Sequence, residues 1–311
     1  MNTLVSIVIP AYNHAAYLAE AVKSVLAQDY PALELIVIDD GSTDNTRAVL
    51  QSLGDGFHWE TQANAGQSRT LARGWAMARG DILAYLSADD VLAPGAVRRS
   101  VEVLEANPAL VATYCDFTLI DPQSRNVRRV NTPDFSYAAM LGEVSCPVGP
   151  GAFFRRQAYE LAGPWNPSYR QMPDYDFWLR MGLFGGLARI PEVLAGFRVH
   201  EGSQTYSQTT PERAAEPVNI VAAVLQHPAA GALDPALKQR ALASANLVSA
   251  QLDLRAGRYG DTLDKLRQAS RHSPAAVYSP RTLRLLFNAV FNRVSHRLLW
   301  QLRSLLGRGQ S

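Results

Sequence analysis

The chain has 311 residues, 47% hydrophobic and 19% charged, with a formal net charge of +2. This length suits one large domain or two modest ones, and the apolar fraction is ample for a packed core, which excludes bulk disorder. Two cysteines, Cys115 and Cys146, exclude a disulfide scaffold and a structural zinc site.

Residues 4–9 (Leu-Val-Ser-Ile-Val-Ile) read as a buried strand stopped by Pro10. A helix follows with Leu18, Val22 and Val25 on one face. Leu35–Ile38 forms a second buried strand ending at Asp39-Asp40-Gly41-Ser42, and Thr43–Leu53 reads as a helix with Asp44 near its positive end. A short strand near Phe57–Glu60, a helix over Gln67–Ala78 and a strand over Ile82–Leu86 come next, the last ending at Ser87-Ala88-Asp89-Asp90. A helix over Pro94–Asn107 and a strand over Val111–Phe117 continue the alternation. Such alternation predicts an α/β fold with a mostly parallel sheet covered by helices on both faces, its ligands binding at the carboxyl ends of the strands. Tyr12 and Asn13, Asp39 and Asp40, and Asp89 and Asp90 all fall at those ends.

Three polar strand ends on one rim suit a phosphate–metal site, because Mg²⁺ or Mn²⁺ takes hard oxygen ligands and shares substrate phosphates. An isolated Asp-Asp pair serves equally as a helix cap and carries little weight alone.

The ordered set of motifs is more specific. Pro10-Ala-Tyr-Asn13, Val37-Ile-Asp-Asp-Gly-Ser-Thr-Asp44, Asn64-Ala-Gly-Gln67 and Leu86-Ser-Ala-Asp-Asp90 resemble the family-2 glycosyltransferases in order and spacing. The resemblance continues through Gly151–Arg156, Pro173-Asp-Tyr-Asp-Phe-Trp-Leu-Arg180 and Phe197-Arg-Val-His-Glu-Gly-Ser203, over about two-thirds of the chain. It implies a GT-A, Rossmann-like sheet over residues 1–207 that binds a nucleotide-sugar, followed by an all-helical region over 208–311.

Residue roles follow from the resemblance. Pro10, Ala11, Tyr12, Asn13, Asp40, Ser42, Gln67, Arg69 and Asp89 would bind the donor. Asp40 would accept from a base N–H, which favours uracil or thymine; its plain alternative is a turn cap. Asp90 would bind a divalent cation, Mn²⁺ or Mg²⁺, completed by His200, whose plain alternative is a strand-end histidine bonded to a carbonyl. Asp174 corresponds to the aspartate of the family's Glu-Asp pair and would be the general base of an inverting transfer, kept ionised by the helix dipole. Trp165 and Asp176 are acceptor-side candidates, Asp176 more readily structural. Pro173 stands where the family usually has a glutamate associated with acceptor binding; Ser87 and the Gln67–Gly74 stretch also depart from the family's usual residues, and none of these departures removes the metal ligand or the base.

The implied activity is transfer of a sugar from a UDP- or dTDP-sugar to a hydroxyl of a glycan or lipid-linked acceptor, in cell-surface polysaccharide synthesis. A nucleotidyltransferase would call for a Gly/Arg/Lys-rich first loop, and Pro10-Ala-Tyr-Asn-His14 is not one. A nucleotide-sugar-binding or scaffold protein would be expected to lack Asp90 or Asp174, and both are present.

Residues 235–274 read as a helical hairpin and Arg281–Leu306 as a last helix, with an apolar stripe including Leu283, Leu286, Phe287, Val290, Val294 and Leu298. All nine charges after Asp264 are basic, so the preceding body, with 21 basic and 28 acidic residues, is near −7 and the tail +9. An apolar stripe with a basic flank suits an anionic membrane surface through residues 275–311, or a homodimer interface. Nucleic acid is disfavoured as partner, since no recognised module accompanies the arginines. No uncharged run approaches the roughly 18–20 residues of a membrane span, and Met1–Pro10 carries no basic leader. The expected location is therefore the cytoplasm, peripheral at the inner face of the cell membrane.

Overall fold

The structure, a computed structural model, describes residues 2–200, 209–280 and 282–289. Two compact units form. The first comprises Met1–Tyr137, Cys146–Ser168 and Pro173–Tyr206; the second comprises Ala138–Ser145, Tyr169–Met172 and Ser207–Ser311. The two short excursions into the second unit leave no mark in composition.

The first unit is built on a nine-stranded sheet in the order β3-β2-β1-β4-β8-β6-β9-β5, with β7 added on β6. Strand β1 (Val5–Ala11) is buried along its whole length, as a strand covered on both faces must be. It pairs in parallel with β2 (Leu33–Asp39) and β4 (Ile82–Tyr85), and β3 (His58–Thr61) lies parallel outside β2. Ala11 stands opposite Asp39, and Asp39 opposite Thr61, so the carboxyl ends of these strands share one rim.

The expected largely parallel sheet is found in this half; the other half makes the sheet mixed. Strand β8 (Phe153–Arg155) runs antiparallel between β4 and β6 (Leu110–Ile120), β7 (Asn126–Val130) returns as a hairpin on β6, and β5 (Val91–Leu92) pairs antiparallel with the long β9 (Gly186–Arg198). Only β6 and β9 are parallel there. Local pattern does not predict β5, β7, β8 or β9: β5 and β8 span only two and three residues, β7 is largely polar, and β9 contains Pro191 and two glycines.

Helices cover the sheet through apolar faces. Leu18, Ala21, Val22 and Val25 of α1 (Leu18–Leu26) are buried, as are Thr70, Leu71, Gly74 and Trp75 of α3 (Gln67–Met77). Gly74 is where α3 approaches β1 most closely: a Cβ there would lie 2.4 Å from Val8 Cγ1. Helix α2 (Thr46–Ser52) starts three residues later than expected, because Asp44 accepts from Thr46 N at 2.9 Å and serves the helix from outside it. Helix α4 (Ala96–Ala106) starts after Gly95, whose φ of 82° is non-helical.

The second unit is helical. It contains most of α5 (Tyr137–Glu143), α8 (Pro211–Gln226), a short 3₁₀ turn, α9 (Pro235–Ala256), α10 (Tyr259–His272), α11 (Pro274–Val277) and helical residues 282–289. Helices α9 and α10 form the expected hairpin, joined where Gly257 adopts φ 82°. Buried Glu216 of α8 accepts from the backbone N–H groups of Arg170, Gln171 and Met172 at 2.7, 2.6 and 2.9 Å. Of the expected last helix, residues 281 and 290–306 lie outside the described residues. Among the described residues no helix is long and apolar enough to cross a membrane.

Candidate active site

The loop after β1 and the loop after β2 are clamped together. Asn13, at φ 56°, accepts on Oδ1 from Thr43 N at 2.8 Å, and its own N–H donates to Ser42 Oγ at 2.9 Å. Ser42 N donates to Asp39 Oδ1 at 3.0 Å. Asn13 and Ser42, expected as donor contacts, thus spend side-chain capacity on fixing the rim. Pro10 and Ala11 are buried within β1, so their side chains do not line an open pocket; Tyr12, 45% exposed, is the residue of that motif that faces solvent.

Asp40 is buried at the start of the next loop. Its Oδ1 accepts from Gln62 Nε2 at 2.7 Å and Ala65 N at 2.8 Å, and its Oδ2 from Gly66 N at 2.8 Å. A carboxylate oxygen takes about two hydrogen bonds, so one acceptor position on Oδ2 remains. Gln67 opens α3 immediately after Gly66, and Arg69 is exposed in its first turn, where a helix N-terminus favours an anion.

The loop after β4 places its two aspartates differently. Asp90, expected to hold the metal, turns inward: it is 3% exposed and its Oδ1 accepts from Arg198 N at 2.9 Å. Burial, and then the charge of Asp89, push its carboxyl well above the usual carboxylate range. Asp89 instead meets the imidazoles. Its Oδ2 lies 3.0 Å from His200 Nε2 and 3.8 Å from His14 Nε2. Burial works to raise the Asp89 carboxyl, and the nearby His14 and His200 imidazoles outweigh it, so the group lies below its ordinary value. One ligand atom from each of His14, Asp89 and His200 falls within 4.8 Å of the others. Ligands about 2.0–2.3 Å from one ion stand up to about 4.6 Å apart, so the set fits a divalent cation after a shift of a few tenths of an ångström.

Two residues outside the expectations organise this corner. Arg198, 1% exposed, donates through Nε to the Asp89 carbonyl at 2.7 Å, through Nη1 to the Asp121 carbonyl at 3.0 Å and Ser124 Oγ at 2.9 Å, and through Nη2 to Glu20 Oε2 at 2.7 Å. It also lies over Tyr17, 4.8 Å from the ring centre. His14 is the other. The sequence signal available for both was position: each lies within three residues of a strand end on the ligand-binding rim.

Asp174 occupies the second position of α7 (Pro173–Met181), after a proline suited to the first turn. Its Oδ1 accepts from Tyr175 N at 2.8 Å. Burial raises its carboxyl above the ordinary value. The half-buried Tyr85 phenol, at the end of β4, is raised well above its ordinary value, first by burial and then by the charges of Asp174, Cys146 and Asp90.

Both acceptor candidates are buried. Asp176 is buried and bonds Arg180 Nη2 at 2.6 Å; Arg180 also donates to the carbonyls of Ala162, Gly163 and Pro164. Asp176 therefore fastens a loop through Arg180. Trp165 is 4% exposed, packed 5.1 Å from Tyr85 and 6.4 Å from Phe177 between ring centres, and so presents little face to an acceptor.

Residues 6–161 match the family model described as glycosyl transferase family 2, and the chain belongs to that family. An uncharacterized glycosyltransferase of Nostoc sp. is 32% identical over 209 residues, covering 63% of this chain and 65% of its own length. Among solved structures, S. aureus TarS 1–349 in complex with UDP-GlcNAc is similar at TM-score 0.68 and 16% identity, over 88% of this chain and 82% of its own. The mannosyltransferase PcManGT of Pyrobaculum calidifontis in complex with GDP-Man and Mn²⁺ is similar at TM-score 0.62 and 17% identity, over 97% and 88%. The architecture is GT-A-like: a mixed sheet flanked by helices, with helices following it.

Proposed function

We propose that the chain is an inverting glycosyltransferase that moves a sugar from a nucleotide-sugar to an acceptor hydroxyl, its catalytic domain lying within residues 1–207. The observation that carries this reading is the convergence of Asp89, in the loop after β4, with His200, whose Nε2 lies 3.0 Å from Asp89 Oδ2. UDP-GlcNAc and GDP-Man in complexes of structurally similar proteins support a nucleotide-sugar donor. The remaining acceptor position on Asp40 favours a base with an N–H donor, as in UDP- or dTDP-sugars.

Asp174 would take the proton of the acceptor hydroxyl as that oxygen bonds to the anomeric carbon and the bond to the diphosphate breaks, its electron pair leaving with the diphosphate. A raised carboxyl suits this work, because a base is more effective as its pKa approaches the working pH. One displacement from the face opposite the leaving group inverts the anomeric centre. Asp89 and His200 would hold a divalent cation, which supplies charge neutralisation for the departing diphosphate. Glycan or lipid-linked acceptors and cell-surface polysaccharide synthesis form the corresponding substrate and pathway reading.

The test is a panel of nucleotide-sugars with Mn²⁺ or Mg²⁺, scored for thermal stabilisation and sugar release. Activity lost in Asp174→Asn with donor binding kept supports the reading; donor binding without turnover in the wild type supports a binding or scaffold protein instead. No response to any donor refutes both.

A specific observation also favours membrane contact. Leu283 and Phe287, one turn apart on the last described helical stretch, are 60% and 69% exposed, with Arg284 beside them. Apolar residues set in a wholly basic tail suit an anionic lipid surface at the inner face of the membrane. Flotation with phosphatidylglycerol vesicles should fall in the paired Leu283→Ser and Phe287→Ser variant. Unchanged flotation, or a wild-type dimer that this variant splits, would move the surface to a homodimer interface.

A further inference from the structure

Resting on the metal reading above, we propose that His14 is a third protein ligand of the cation through Nε2, and that the resulting donor set of two imidazoles and one carboxylate selects Mn²⁺ or a similar nitrogen-accepting cation over Mg²⁺. The family motifs pointed to an aspartate and to His200; they assigned nothing to His14.

The ring's hydrogen bonding fixes which nitrogen is available. His14 Nδ1 lies 2.7 Å from the Tyr12 carbonyl, which can only accept, so Nδ1 carries the proton. The neutral ring then has its lone pair on Nε2, the atom that faces Asp89 Oδ2 at 3.8 Å. A carbonyl on one nitrogen and an ion on the other is the usual arrangement of a metal-bound histidine, because the carbonyl sets the tautomer and turns the ring.

The backbone holds this ring in place. His14 N donates to Thr46 Oγ1 at 3.0 Å, and the His14 carbonyl accepts from Tyr17 N and Leu18 N at 3.1 and 3.0 Å at the start of α1. His200 is packed from the other side by Tyr17, 5.0 Å between ring centres. The side chains of His14, Asp89 and His200 are 29%, 18% and 14% exposed, so an ion reaches them from solvent while they remain ordered by neighbours. Mg²⁺ strongly prefers oxygen ligands and dehydrates reluctantly, whereas imidazole suits the first-row transition cations.

The competing account is a metal-free His–Asp–His cluster that braces the rim. Titration of the full chain with MnCl₂, with and without UDP and followed by electron paramagnetic resonance, separates the two. The number of nitrogen couplings to bound Mn²⁺ is read by electron spin echo modulation. The wild type should show two nitrogens, and Mg²⁺ should displace Mn²⁺ only in large excess. His14→Gln should leave one nitrogen and weaken Mn²⁺ by at least about tenfold, in line with the usual cost of disturbing a metal site. One nitrogen in the wild type, or unchanged affinity in His14→Gln, overturns the assignment of His14 and leaves the metal reading standing. No Mn²⁺ bound by the wild type under either condition overturns the metal reading itself. The nitrogen count is made on the unaltered protein, so the assignment can fail even if the variant does not fold.

Discussion

Replacing Arg198 with methionine tests the claim that one buried guanidinium holds the corner of the site. The side chain is 1% exposed and donates four hydrogen bonds, two of them to the carbonyls of Asp89 and Asp121. Each buried bond contributes about 1 kcal/mol net, or somewhat more where the donor is charged. Methionine also strands the buried oxygens. Removing one member of a buried charged network costs about 3–5 kcal/mol, which agrees with the sum over the four bonds. For a unit of roughly 200 residues, 4 kcal/mol corresponds to a fall in Tm of about 8–16 °C. Glu20→Gln is the internal control. That carboxylate is 46% exposed and contributes one of the four contacts, so its loss should cost about 0.2–1 kcal/mol and no more than a few degrees. Calorimetric melting of both variants gives the comparison, with Arg198→Lys expected between them. An Arg198→Met protein that melts within about 3 °C of Glu20→Gln would refute the account, because the buried network would then carry no more than one exposed pair.

Asp174→Asn should keep donor affinity, read by nucleotide titration, and lower kcat by about 10²–10⁴-fold, the usual contribution of a general base. Burial raises the Asp174 carboxyl, and a base works only when ionised, so kcat/KM should fall as pH is lowered through a value above the ordinary 3.8; an acid limb at or below 3.8 would contradict the desolvated site. Gly74→Ala should destabilise the protein on urea unfolding, although alanine favours a helix by about 1 kcal/mol. The new Cβ would meet Val8 Cγ1 at 2.4 Å, and overpacking costs about 1–3 kcal/mol; a gain in stability would mean that α3 and β1 can separate freely. Asp40→Ala should weaken donor binding and also lower Tm, since it strands the N–H groups of Ala65 and Gly66; a loss of binding with Tm unchanged would separate the two roles.

The sequence by itself determined the parallel half of the sheet and its rim. Leu4–Ile9, Leu35–Ile38 and Ile82–Leu86 are short, mostly apolar runs with turn residues after them, and local pattern suffices to read such strands. Motif order carried the family. The antiparallel strands β7, β8 and β9 and the excursions at Ala138–Ser145 and Tyr169–Met172 are set by pairing with distant segments, which local pattern does not encode. The same limit governs the site. Adjacent aspartates at a strand end look alike in sequence, yet the turn sends Asp90 inward to Arg198 N and Asp89 outward to the imidazoles, because successive side chains leave the backbone in different directions. Trp165 is an acceptor-side candidate by sequence, but packing against Tyr85 and Phe177 takes it out of solvent. His14, Asp89 and His200 are 75 and 111 residues apart along the chain, and only closure of the sheet brings their ligand atoms within 4.8 Å. Composition and motif name the groups available for chemistry; the long-range pairing of β1, β4 and β9 with their neighbours decides which of them meet.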